Sequence, residues 1–275
     1  MALVPAAATM VAGVDATSLL GSSTWAQLRP LVETGDVKTL VEIGQGCELG
    51  VSSWRGLTFA SELSGSNTVV VMRADGIGRP ERLECVRAAI ERKDGKSPWK
   101  GGASANELAL DGGGIAIATD PCTLVVASTG WSSAVRDRLT GGGSSAQVGA
   151  LASAIGRVDA RKPAWVAAAI PSGATTGSPF DGARDVVATI DVAGGLTFAM
   201  SFTFSDPAEA TKRAGELQHQ LDSMKTAIAG MGMPQNVLDS IRIVSAGAQV
   251  LLQANASDAD VRSLTEKLAP MVMRP

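Results

Sequence analysis

The side chains with most scope for covalent or metal chemistry in this 275-residue sequence are three cysteines, Cys47, Cys85 and Cys122, and a single histidine, His219. His219 stands two positions after the apolar helix position Leu217, a rotation of about 200°, and is expected to face solvent. With one His and no Tyr, Ser-His-Asp hydrolysis would rest on that side chain alone, and multi-histidine metal sites are excluded. The carboxylates are dispersed, and no spacing singles out a pair for acid-base work. Gly44, Gly46 and Gly50 lack dinucleotide spacing, and the strand-like VSSWRGLTF follows them, where phosphate binding needs a helix N-terminus. No catalytic, cofactor-binding or metal-ligating residue is assigned, and neither enzyme activity nor a cofactor is expected.

The cysteines carry more information. Cys85 lies about 200° round its helix from the core position Leu83, beside the small residues Ala88 and Ala89, where another segment can approach. Cys47 sits in a glycine-flanked irregular stretch, so a Cys47–Cys85 disulfide is the preferred pairing, and it requires an oxidising compartment. Cys122, in the turn TDPCT, is a free thiol, an alternative partner or a site of intermolecular pairing. Three inert thiols in a cytosolic protein are the competing reading. There is no CxxC, which disfavours a redox enzyme or zinc ribbon. In RKDGKSPWKGG, Lys96, Trp99 and Lys100, with Lys93 nearby, suggest a partner-binding loop using cation-π or stacking contacts; a Trp anchoring a solvated loop is the plainer alternative.

Elements that would position these residues can be read from apolar periodicity. Thr9 to Asp15 reads as a strand. Ser22 or Ser23 caps a helix with Trp25, Leu28 and Leu31/Val32 on one side and Pro30 near its end. A short helix over 37–43, with Asp36 as cap, precedes paired strands at 51–62 and 68–74 that turn around Gly65-Ser66-Asn67. A helix from Pro80 carries Leu83, Val86 and Ile90; the polar loop DGKSPWKGGAS separates it from a hairpin turning at Asp111 to Gly114. After the flexible run GGGSSAQ comes a helix with Val148, Leu151, Ile155 and Val158 on one face. Trp165 to Ile170 reopens the pattern. Period-two runs on both sides of Gly194-Gly195 predict a hairpin, with Phe198, Met200, Phe202 and Phe204 on one face. That greasy face needs a cover, supplied by a long helix from Pro207 with Ala210, Ala214, Leu217, Leu221, Met224, Ile228 and Met231 in one stripe.

The order of elements occurs twice. Pro80 and Pro207, each opening a helix after a strand, stand 127 positions apart, and Val135-Arg136 and Val261-Arg262 stand 126 apart. The hairpin-like ELALDGGGIAIAT in the first half matches DSIRIVSAGAQVLLQ in the second. The sequence therefore predicts an α+β protein of two related halves, 1–140 and 141–275, intimately packed, each an antiparallel sheet covered by helices on one face. Net charge is −3 with 45% apolar and 19% charged residues, an ordinary globular composition with no footprint for nucleic acid. No apolar run approaches the roughly 20 residues of a transmembrane helix.

The segments VPAAATMVAGVDATSLLGSSTWAQL, CELGVSSWRGLTFA, RLECVRA and ASDADVRSLTEKL together resemble uncharacterised bacterial secreted or lipoprotein-like proteins of unknown function. Ala7 and Ala8 stand where an Asp often appears in these proteins, and the lipidated cysteine is lacking. The resemblance implies an α+β fold and an envelope location: periplasmic, outer-surface or secreted. The first 16 residues lack a basic n-region followed by an apolar h-region, so the start is read as that of a mature domain. The expected function is a non-catalytic envelope-associated or secreted binding or structural module, its partner an unidentified protein. The alternative is a carrier of a small apolar ligand between the Phe-rich face and a helix, with Met224, Met231 and Met233 as an adaptable lining. A hydrolase-type enzyme using carboxylates or Cys122 ranks behind both.

Overall fold

The computed structural model describes the backbone of residues 2–32, 35–62, 65, 67–230 and 232–272. In chain order the elements are β1 (Met10–Asp15), α1 (Ala16–Leu20), α2 (Ser23–Val32), α3 (Gly35–Gly46), β2 (Trp54–Ser61), β3 (Thr68–Ala74), α4 (Pro80–Asp94), β4 (Trp99–Gly101), β5 (Glu107–Leu110), β6 (Ile115–Asp120), β7 (Thr123–Ala127) and α5 (Ser132–Leu139). There follow α6 (Ala152–Arg157), β8 (Ala164–Ala169), β9 (Asp185–Asp191), β10 (Leu196–Thr203), α7 (Pro207–Gly230), α8 (Gln235–Ser240), β11 (Arg242–Ala246), β12 (Gln249–Ala256) and α9 (Asp258–Val272). The fold is α+β. One compact unit comprises Met1–Leu20 with Gly35–Ala152, the other Gly21–Thr34 with Ser153–Pro275.

Strands of the first unit lie in the order β1-β2-β3-β7-β6-β5-β4, and every neighbouring pair is antiparallel. Register fixes which side chains share a face: Met72 sits opposite Leu124, Val126 opposite Ala116, and Ala116 opposite Leu108. These positions face α4. One residue out of phase, Val69, Val71, Val125 and Ile115 are buried on the other face.

Pro80 opens α4 at its first position, where its missing N–H costs nothing, and Gly95, with φ of 70°, closes it. Gly78 just before the helix must be glycine, because a Cβ there would run into the Asp120 carbonyl oxygen.

The second unit orders its strands β8-β9-β10-β12-β11, again all antiparallel. Phe202 and Phe204 are buried here with Ala210, Ala214 and Leu217 of α7 and with Val250; Phe180 stacks on Phe202 with ring centroids 4.2 Å apart. The Phe-rich face is thus covered by α7, as its periodicity predicts. Ser22 Oγ accepts a hydrogen bond from the Trp25 N–H at 3.0 Å, capping α2, and Thr24 is fully buried, donating to the Gly195 carbonyl at 3.0 Å.

Several local expectations are corrected. Trp99–Gly101 is strand β4 rather than loop, because Trp99 pairs opposite Leu110 and extends the sheet. The hairpin whose second strand pairs with the strand before the helix is β6–β7 in the first unit and β11–β12 in the second. By strand pairing, then, Ile115–Ala127 and not Glu107–Thr119 is the segment that corresponds to Arg242–Ala256. The run 141–147 is not a loose connector. Ala6 N–H donates to the Ser144 carbonyl at 3.0 Å, Ala146 N–H to the Val4 carbonyl at 2.9 Å, and Ala146 is fully buried. Beyond it α6 starts only at Ala152, leaving Val148 exposed while Leu151 is buried. The side chains of Leu31, Val32 and Asp36, like residues Ser66 and Met231, lie outside the described residues.

Candidate functional site

Between α4 and the sheet of the first unit lies a part-open cavity of about 430 Å³. Its floor is the cross-strand row Val126, Ala116 and Leu108, flanked by Met72, Leu124 and Leu110. Ala116 is the reason there is room: opposite two branched side chains, a single methyl leaves the middle of the floor low. Leu83, Val86 and Ile90, one helical stripe of α4, form the roof. Ile43, Gly44 and Leu49 close one wall, and Pro98 with Trp99 closes another.

The wall is almost entirely carbon. Among the described residues no lining side chain is titratable, and their polar nitrogen and oxygen atoms beyond the main chain are the indole nitrogens of Trp54 and Trp99. A site of this kind has no general acid, base or nucleophile to offer. What it does offer is about the volume of an ordinary ligand pocket, lined by apolar groups that gain by excluding water.

α4 covers this cavity without sealing it: none of its residues is fully buried, and Leu83 and Val86 pack half-buried against the sheet cluster of Ala116 and Leu124. Its N-terminal end is tied down where the Gly78 N–H donates to the Pro121 carbonyl at 3.0 Å. Midway along, Cys85 is disulfide-bonded to Cys47, just beyond the end of α3, with the two Cα atoms 5.6 Å apart. This is the pairing expected from the helix angle of Cys85.

Beside the bridge Arg82 pairs with Glu48, and that contact holds the Glu48 carboxyl below the usual carboxylate range. On the outer face Arg87 spans Glu84 and Glu91. Its guanidinium is raised above its ordinary value, chiefly by the hydrogen bond to Glu84.

Of the residues singled out in the sequence, Trp99 reaches the cavity, whereas Lys96 and Lys100 are exposed. Trp99 thus anchors its segment from below. Cys122 is an exposed free thiol at the β6–β7 turn. Met224 is exposed and Met233 packs beside Val237, Ala256 and Val261, so neither lines a space under the Phe face, which Phe202 and Phe204 fill. Sequence reading missed the floor residues Leu108, Ala116, Leu124 and Val126 as a site. The only signal for them is period-two alternation, which any half-covered strand shows.

His219 is exposed on α7. Replacing it with Ala is expected to shift stability by no more than about 0.5 kcal/mol, as at ordinary surface positions, and a urea titration checks this. Among the described residues no group of three or more His, Cys, Asp or Glu is arranged to hold a metal ion, and no helix is long and apolar enough to cross a membrane.

No protein-family model matches the chain, and no curated protein matches it. Solved structures do share its fold. Crystal form III of TP0453 aligns with a TM-score of 0.60 at 7% identity, covering 98% of this chain and 97% of that one. Crystal form I aligns at 0.54 and 8% identity (98% and 96% covered), and form IV at 0.51 and 8% identity (98% and 95% covered). At these identities the likeness is one of fold.

Proposed function

We propose that this is a non-catalytic extracytoplasmic binding protein of bacteria whose first unit holds a small apolar ligand between α4 and the sheet. The observation that carries the reading is the cavity of about 430 Å³ with no titratable side chain among the described residues of its lining. Its size falls within the usual range of about 300–1,000 Å³ for small-molecule pockets. The Cys47–Cys85 bridge supports the compartment, since such bonds persist where the surroundings are oxidising.

Strand order supports a further point. β1-β2-β3-β7-β6 and β8-β9-β10-β12-β11 follow the same path, each with its long helix after the third strand, as two related halves would. On that reading the halves have diverged in filling. Phe202 and Phe204 occupy the space under α7, whereas the floor under α4 carries Ala116 and Val126 and is left open.

Titration with N-phenyl-1-naphthylamine, which fluoresces in apolar surroundings, tests the proposal. Saturable binding at one site per chain is expected. Ala116→Phe, which puts a ring on the low part of the floor, should weaken it at least about tenfold, equivalent to 1.4 kcal/mol, without lowering the thermal midpoint by more than a few degrees. Absence of saturable binding, or an Ala116→Phe protein that binds as the parent does, would remove the cavity as the site.

A further inference from the structure

The cavity is apolar throughout, but its surroundings at one end are not. Ile90 and Pro98-Trp99 line that end, and the chain between them, from the last turn of α4 through Gly95, carries Arg92, Lys93 and Lys96. All three cations are exposed. Arg92 Nε donates only to the Ala88 carbonyl of its own helix, at 3.2 Å, and among the described residues no ion pair engages Lys93 or Lys96. Of the acids on the same helix, Glu84 and Glu91 pair with Arg87.

A second recess, about 440 Å³, runs along the outer side of the disulfide, lined by Arg92, Lys93, Ala89 and Glu42. It meets the apolar cavity at Ile43, which lines both. Glu42 is the acid in the lining of this recess and lies 4.0 Å from Lys38, and Asp94 is exposed next to Lys93 in the chain. An apolar chamber therefore adjoins a half-polar recess in which cations outnumber acids.

We infer that the occupant is an anionic amphiphile, its hydrocarbon chain in the cavity under α4 and its carboxylate or phosphate at Arg92, Lys93 and Lys96. This rests on the cavity being a binding site and adds the charge of the head group. A cation beside the mouth stabilises an anionic head through charge-assisted hydrogen bonds, whereas a neutral head gains only what it had in water. The arrangement selects by head-group charge and tolerates variation in the chain.

Calorimetry with dodecanoate, dodecyl phosphate and dodecanol, each below its micellar concentration, separates the terms. Both anions are expected to bind about tenfold or more tightly than the alcohol, with the advantage shrinking as salt is raised. An Arg92→Gln/Lys93→Gln/Lys96→Gln variant should lose that advantage yet bind dodecanol as the parent does, which also shows that it is folded. A preference for one anion over the other identifies the head group as carboxylate or phosphate. Equal affinity of parent protein for dodecanoate, dodecyl phosphate and dodecanol would overturn the head-group assignment and leave the apolar site standing. Failure of all three to bind would overturn both.

Discussion

A Cys47→Ala/Cys85→Ala variant is expected to be less stable than the parent by about 3–4 kcal/mol, on the chain-entropy account of a cross-link closing a loop of this size. The bridged cysteines are 38 positions apart, and the loop between them contains β2, β3 and the start of α4. The loss should not be uniform. Because the side chains of α4 are at most half-buried, that helix keeps fewer packing contacts than the central strands once the bridge is gone. Its amides should therefore exchange with solvent well before those of β3 and β7, whose ladder is independent of the bridge. Urea unfolding with hydrogen exchange read by mass spectrometry checks both parts. An unchanged midpoint, or α4 amides protected as long as those of β3, would show that the helix is held by something other than the disulfide.

Phe204→Ala should cost about 3–5 kcal/mol, the range for removing a fully buried aromatic side chain from a close-packed core. Phe204 is 1% exposed and packs with Phe202, Ala210 and Leu217. Deleting its ring creates a hole that those neighbours cannot fill without moving α7. Leu83→Ala is the informative comparison, because Leu83 is only half-buried, packing on the sheet cluster while also lining the cavity, so fewer contacts vanish with it. Parallel urea titrations would read the difference. If the two substitutions cost the same, the space beneath α4 is as tightly packed as that beneath α7.

Much of the framework was legible in the sequence because it is written in local periodicity. Alternation around Gly194-Gly195 marks β9 and β10, and the spacing of Ala210, Ala214 and Leu217 marks the covering face of α7. The disulfide was legible for a similar reason: a helix fixes where each residue points, so Cys85 had to lie on the flank of α4. The cavity was not, since emptiness is a property of no single segment. It arises where Leu108, Ala116 and Val126, from three strands, lie opposite one another beneath α4, and nothing local reports that their summed volume falls short. The same blindness misdirected attention to the Phe-rich face, because a row of phenylalanines looks alike whether the space above it is filled or free. Trp99 was misread as part of a loop because its polar neighbours Lys96 and Lys100 dominate the pattern.

The β6–β7 turn has a practical consequence. With Cys47 and Cys85 joined, Cys122 is the sole thiol open to an alkylating dye, and it sits on a fixed perch. Its N–H donates to Asp120 Oδ1 at 2.7 Å and its carbonyl accepts from the Ala74 N–H at 3.0 Å. An acceptor fluorophore placed there would need no engineered cysteine. Trp54 and Trp99, already in the cavity wall, serve as donors. Entry of a ligand as proposed above would thereby become an optical signal in the unmutated polypeptide.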